Sequence, residues 1–200
     1  MKHVIVPIAH GFEEIEAIVI IDILRRAGIQ VAAVGVGERS IQGSHDITIE
    51  CDAEISALPD GPVDAVVLPG GLPGTRNLAA SDAVRRLVRE THRRDAVVAA
   101  ICAAPLVLAA EGVTDGRRAT SHPAHENEMT GCTYQRDRVV RDGNVITSRG
   151  AGTAVEFAAE IVARLVGREV AHSILAAIVA PESKFTETCP PPEPRARATD

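Results

Sequence analysis

The feature that most constrains this chain is an alternation of short aliphatic runs with amphipathic or apolar helical stretches. Residues 3–8, 30–36, 63–68 and 96–101 are near-continuous runs of Val, Ile, Leu and Ala. Such runs mark strands buried on both faces. Between the first two, an unusually apolar helix is expected from Glu13 to Ala27, closed by Gly28. Strand, helix, strand in that order requires a right-handed crossover and therefore a parallel sheet. Aromatic residues are 2% of the 200 and Trp is absent, so the core has to be packed from aliphatic side chains.

The remaining elements fit the same α/β frame. Residues 38–52 alternate like a small antiparallel excursion with a turn near Gln42-Gly43. Ser81 caps a helix reaching about Arg94, and another helix is expected over 103–111 with Pro105 in its first turn. Short strands follow near 118–121, 138–141 and 145–148, then helices over 153–166 and 169–180. One domain over residues 1–185 is expected. The tail, 186–200, carries Pro190-Pro191-Pro192 and mixed charge, a composition that cannot bury enough to order itself.

Charge and cysteine usage exclude several classes. A formal net charge of −6, with scattered Lys and Arg, argues against nucleic acid and against a membrane surface as partners. Aliphatic runs are too short to span a bilayer, and the first residues lack a signal-peptide pattern, which points to the cytoplasm. Cys51, Cys102, Cys132 and Cys189 form no CxxC pair, unpromising for zinc or a disulfide framework.

Ligands of an open parallel sheet gather at the carboxyl ends of its strands. Gly11, Gly70-Gly71 and Cys102 each follow a strand there. At a strand-to-helix junction, backbone N–H groups and the positive helix end favour thiolate, and such thiols fall from ~8.5 to roughly 3.5–7.5. A buried, inert cysteine is the ordinary alternative. Glu16 lies in an otherwise apolar stretch. It is either a buried, protonated carboxyl facing the thiol or a group that pairs at the helix start. Gly70 and Gly71 either form a turn or aim bare N–H groups at an oxyanion. His122, ahead of Pro123, is either an acid/base partner or a surface residue. The set His122, His125, Glu126 and Glu128 matches no standard metal-binding spacing, so neither metal nor cofactor is expected.

These residues together resemble the ThiJ/PfpI superfamily, in the branch of the Parkinsonism-associated deglycase and bacterial YajL. The resemblance rests on Gly11-Phe12-Glu13-Glu14-Ile15-Glu16, Asp22-Ile23-Leu24-Arg25-Arg26-Ala27-Gly28 and Val66-Val67-Leu68-Pro69-Gly70-Gly71. It continues through Ala99-Ala100-Ile101-Cys102-Ala103-Ala104-Pro105 and Thr147-Ser148-Arg149-Gly150. It implies a flavodoxin-like three-layer sandwich, a homodimer, and a low-pKa Cys102 hydrogen-bonded by a protonated Glu16. It further implies oxyanion N–H groups from Gly71 and Ala103, with His122 near the thiol. The activity implied is cofactor-free conversion of small reactive carbonyls such as methylglyoxal to 2-hydroxy acids, or deglycation. The alternative is an oxidative-stress sensor or chaperone governed by oxidation of Cys102. His45 departs from the pattern, since relatives often carry Arg there.

Overall fold

The computed structural model describes residues 1–58, 61–181 and 185. In chain order the elements are β1 (His3–Ile8), α1 (Glu14–Arg26), β2 (Gln30–Gly35), β3 (Ser40–Gln42), β4 (Thr48–Glu50), β5 (Ala53–Glu54) and β6 (Ala65–Leu68). There follow α2 (Leu72–Ala80), α3 (Asp82–Arg93), β7 (Val97–Ile101), α4 (Pro105–Ala110), β8 (Arg118–Ala119) and β9 (Thr133–Tyr134). The chain continues through β10 (Val139–Asp142), β11 (Val145–Ser148), α5 (Ala154–Val166) and α6 (Arg168–Ala177).

Seven strands form the central sheet in the order β10-β11-β7-β6-β1-β2-β5. All neighbours are parallel except β10 and β11. Side chains of successive strand residues point to opposite faces, and the core divides accordingly. Val4, Val6, Ile8, Val67, Ala99 and Ile101 pack with α1, α5 and α6 through Ile20, Leu24, Phe157 and Ile174. Val66, Leu68, Val98 and Ala100 pack on the other face with Leu78, Val84, Val88, Val107 and Leu108 of α2, α3 and α4. Fully burying one such side chain contributes about 1.5–3 kcal/mol. The two layers make the three-layer α/β architecture that the aliphatic runs require.

This topology creates a crevice. The chain leaving β1 crosses by α1 to β2 on one side, whereas the chain leaving β6 crosses by α2 and α3 to β7 on the other. Adjacent strands whose connections diverge leave a gap outside their carboxyl ends. Gly11, Gly70-Gly71 and Cys102 border it.

Local differences from expectation have simple causes. The excursion is the β3–β4 hairpin, Ile41 facing Ile49, while Ala53–Glu54 adds a parallel edge to β2. A helix absent from the sequence reading, α2, begins directly after Gly71, because Pro73 sits in its first turn, where no N–H is needed. Segment Pro123–Glu128 is a run of 3-10 turns and β8 pairs with β9. The tail expected at 186–200 lies outside the described residues, as does Cys189. No helix among the described residues is long and apolar enough to cross a membrane.

Candidate active site at the carboxyl edge of the sheet

The site is built from the start of α1. Glu13 is extended and its Oε2 accepts the N–H of Glu16 at 2.7 Å, which opens the helix. At its start the helix turns two carboxylates inward and two isoleucines outward. Glu14 and Glu16 are buried, Glu16 completely, while Ile15 and Ile18 are exposed.

Glu16 reaches under the β6 turn, where its Oε2 accepts the Gly70 N–H at 2.8 Å. Its other oxygen, Oε1, is buried with no conventional partner among the described residues. The polar group beside the carboxyl is the Cys102 thiol. Burial pushes the Glu16 carboxyl up to about 7, and the charge of Glu13 adds to this. The Gly70 N–H and the contact with Cys102 act the other way.

Cys102 directly follows β7, with φ of 65°. A left-handed backbone at a non-glycine residue costs about 1–2 kcal/mol, and here it lifts the side chain off the sheet at the strand-to-helix turn. The backbone is pinned on both sides: Cys102 N–H donates to Ser148 O at 3.0 Å, and Cys102 O accepts from His122 N–H at 2.7 Å. Gly71 and Ala103 N–H groups are directed at the sulfur.

Two glycines make the approach possible. A Cβ on Gly70 would lie 2.6 Å from Cys102 Cβ and 2.7 Å from Glu16 Oε2. Gly71 has φ of 88°, and a Cβ there would meet Gly11 O at 2.4 Å and Glu13 N at 2.6 Å.

The structure corrects two expectations and narrows a third. Burial, then the charge of an ionised Glu16, pushes the Cys102 thiol up to about 12, against the pull of the Gly71 and Ala103 N–H groups. Strand-end position alone therefore does not depress this thiol. Gly70 is not free to hold an oxyanion, since its N–H is taken by Glu16 and its C=O accepts from Glu13 N–H at 3.0 Å. It positions the acid instead. His122 adjoins Cys102 through the backbone. Its Nδ1 accepts the Ala124 N–H at 3.2 Å, and it makes no hydrogen bond to Sγ among the described residues.

Neighbouring groups are engaged elsewhere. His125 pairs with Glu128 at 2.6 Å and Glu126 with Arg136 at 3.0 Å, so the acid and histidine run does not converge on one point. The one trio of potential metal-ligating side chains close together among the described residues is Glu13, Glu14 and His45. There Glu14 accepts the His45 N–H at 2.6 Å and bonds its ring at 2.8 Å. Although burial opposes it, this contact holds Glu14 at about 2 and raises His45. His45 thus ties the β3–β4 hairpin to α1. Burial, with Asp52 and Glu50 alongside, pushes Cys51 up to about 11, and burial also raises Cys132.

A nucleophile on a strained turn, two N–H donors at its sulfur and a buried carboxyl beside it are equipped for addition to a carbonyl. The model of the DJ-1/PfpI family matches residues 2–164. The chain belongs to the DJ-1/PfpI family. It is 42% identical over 183 residues to the Parkinson disease protein 7 homolog of Danio rerio, covering 89% of this chain and 97% of that one. It is 37% identical over 165 residues to the glutathione-independent glyoxalase DJR-1.2 of Caenorhabditis elegans, covering 82% and 88%. The crystal structure of Drosophila melanogaster DJ-1beta superposes with a TM-score of 0.87 at 40% identity, over 90% of this chain and 99% of that one. The DJ-1/PfpI sheet is therefore the frame on which the site is mounted.

Two contributors escaped the sequence reading. Ser148 holds Cys102 through its carbonyl, and its hydroxyl bonds Thr153 Oγ1 at 2.6 Å and Arg138 O at 2.7 Å. Its place in Thr147-Ser148-Arg149-Gly150 was the available signal. Glu13 caps α1 with its carboxylate, and an acid three residues before Glu16 was the signal for it.

Proposed function

We propose that this DJ-1/PfpI protein is a cofactor-free, cysteine-dependent enzyme that converts 2-oxoaldehydes such as methylglyoxal to 2-hydroxy acids. The observation that carries the reading is a buried Glu16 carboxyl, raised to about 7, beside a sulfur that faces the Gly71 and Ala103 N–H groups. Cys102 thiolate, with the shared proton on Glu16, adds to the aldehyde carbon. The new oxyanion takes the Gly71 and Ala103 N–H groups as donors. Glu16 gives its proton to that oxygen and, now a carboxylate, accepts the proton from the former aldehyde carbon; it returns this proton to the neighbouring carbon while the hydroxyl proton passes to the neighbouring oxygen. The first carbon is thereby oxidised to a thioester and the second reduced to an alcohol. Water cleaves the thioester, releasing lactate and the thiolate. His122 acts through its loop rather than at Sγ.

Incubation with methylglyoxal should yield lactate in the wild type, with a loss of at least about 100-fold in Cys102→Ser and Glu16→Ala. Equal turnover by Cys102→Ser and wild type would sink the reading. The relative named a glyoxalase supports it.

A second reading has its own observation. Glu16 Oε1, buried without a conventional partner, could donate its proton to an oxygen of oxidised Cys102, which favours an oxidation sensor. Peroxide treatment followed by mass spectrometry distinguishes it: sulfinate centred on Cys102 with negligible lactate supports sensing. We also propose a cytoplasmic location, and a homodimer because α1 leaves Ile15 and Ile18 exposed and the hairpin leaves Ile47 exposed.

A further inference from the structure

A second cavity of about 230 Å³ lies next to the catalytic crevice and has no part in the chemistry above. One wall is a face of α2: Leu72, Thr75, Arg76 and Ala79, at helical spacings of three and four. Leu106 and Val107 of α4 form the floor, and His125 and Glu128 of the 3-10 segment close the far side. α2 starts directly after Gly71, and α4 starts two residues after Ala103. Leu72 follows Gly71 directly, and Leu106 stands one turn, about 5 Å along the axis, beyond Ala103. A substrate bound covalently at Cys102 would extend its far end into this cavity.

The cavity carries one charge of each sign over an apolar floor. Arg76 has no ion-pair partner among the described residues, although it shares the cavity with Glu128. Glu128 gives one oxygen to His125 Nδ1 at 2.6 Å and keeps Oε2 open. The Thr75 hydroxyl, on the same wall, is buried without a partner. A simple carboxylate would meet attraction from Arg76 and repulsion from Glu128, and a simple amine the reverse. A group carrying both charges satisfies both. At about 30 Å³ for each water-sized atom, the volume holds about eight non-hydrogen atoms, the size of an amino-acid head with a short aliphatic stem.

We propose that this cavity is a substrate subsite for an α-amino-carboxylate: Arg76 pairs with the carboxylate, Glu128 with the ammonium, and Leu106 and Val107 bury the stem. The inference rests on the reading of Cys102 as the nucleophile that meets the carbonyl. It narrows the substrate class to reactive carbonyl compounds carrying an amino-acid head at the far end.

The test uses the full-length protein and alkylation of Cys102, located by mass spectrometry. Nε-iodoacetyl-lysine carries the amino-acid head, N-pentyl-iodoacetamide is the same chain without it, and 6-(iodoacetamido)hexanoate keeps only the carboxylate. The lysine reagent should react about tenfold faster than the pentyl reagent, the equivalent of one charge-assisted contact pair. That ratio should fall to about threefold or below in Arg76→Glu and in Glu128→Gln, each compared within one variant so that altered folding cancels. The hexanoate should be slower than the lysine reagent. A wild-type ratio near one, a ratio unmoved in both variants, or a hexanoate as fast as the lysine reagent overturns the subsite, as does a Cys102 that none of the three reagents labels. Missing lactate with the ratio intact removes the aldehyde reading and keeps the subsite.

Discussion

Glu16 and Cys102 behave as one titrating unit, because each lies against the other in a site that burial keeps from water. Loss of the first proton is expected near the Glu16 value, about 7, and the resulting single charge is shared between carboxyl and sulfur. Alkylation of Cys102 by iodoacetamide should therefore rise as pH passes about 7, level off, and rise again towards about 12. In Glu16→Gln the inflection near 7 should vanish, and one inflection should remain below 12, since the carboxylate's repulsion is gone. Superimposable profiles would refute the shared proton. The same carboxyl affects stability. Its folded value lies above the ordinary carboxyl value of 4.5, so its contribution is full below about 4.5 and lost as pH rises through about 7. At pH 8 the penalty is about 3 kcal/mol, at about 1.36 kcal/mol for each pH unit. Urea unfolding should accordingly show Glu16→Gln gaining stability on wild type between pH 5 and pH 8. The placement of both residues was legible in the sequence: a cysteine at a strand end and an acid inside an apolar run. The direction of the thiol's shift was not, because it depends on how completely the loops of β1 and β6 exclude water.

At the scale of elements, the turn after β6 and the start of α1 are packed backbone against backbone. Gly71→Ala is expected to cost more than about 3 kcal/mol, since its Cβ would meet Gly11 O and Glu13 N, atoms that no rotamer change can move. Chemical denaturation measures this, and a cost below about 1 kcal/mol would show that the turn yields. The hairpin is held differently, by Glu14 and His45. Glu14 is kept at about 2, so its share of the tie is fully present above about 4.5 and lost as pH falls through about 2, while the share of His45, whose value the same contact raises, is lost as pH rises through that raised value. His45→Ala should speed amide exchange over residues 40–50 by about tenfold at pH 7 while leaving β6 and β7 unaffected. The long parallel strands and α1, α3 and α5 were legible because hydrophobic period and caps agree there, as at Ser81, whose hydroxyl accepts from Val84 N–H. Helix α2 was not, since Leu72-Pro73-Gly74 reads locally as loop and becomes helix only when Gly74 N–H reaches Gly11 O. Strands β5 and β9, two residues each, have no period to detect, whereas β8 falls within the short strand expected near 118–121.

For the whole molecule, the inversion of α1 joins the site to the proposed dimer. The helix that buries Glu14 and Glu16 must turn Ile15 and Ile18 away, at 57% and 47% exposure, and Ile47 on the tethered hairpin is 55% exposed. Apolar side chains gathered at one end of a helix are stable in water only at a cost that association removes. The face that is costly in a lone chain is thus the reverse of the face that carries Glu16 into the site. Sedimentation equilibrium should give the wild type twice the 21.1 kDa of the chain. Ile15→Glu with Ile18→Glu should give the single-chain mass, because two carboxylates on each copy would face each other across a two-fold contact. If α1 is also steadied by that contact, the double variant should lose lactate formation in proportion to its monomer fraction, with activity recovering as protein concentration is raised. A wild type that sediments as a single chain, or a double variant that remains a dimer, would place the partner surface elsewhere and leave the outward isoleucines as the cost of holding Glu16 inside.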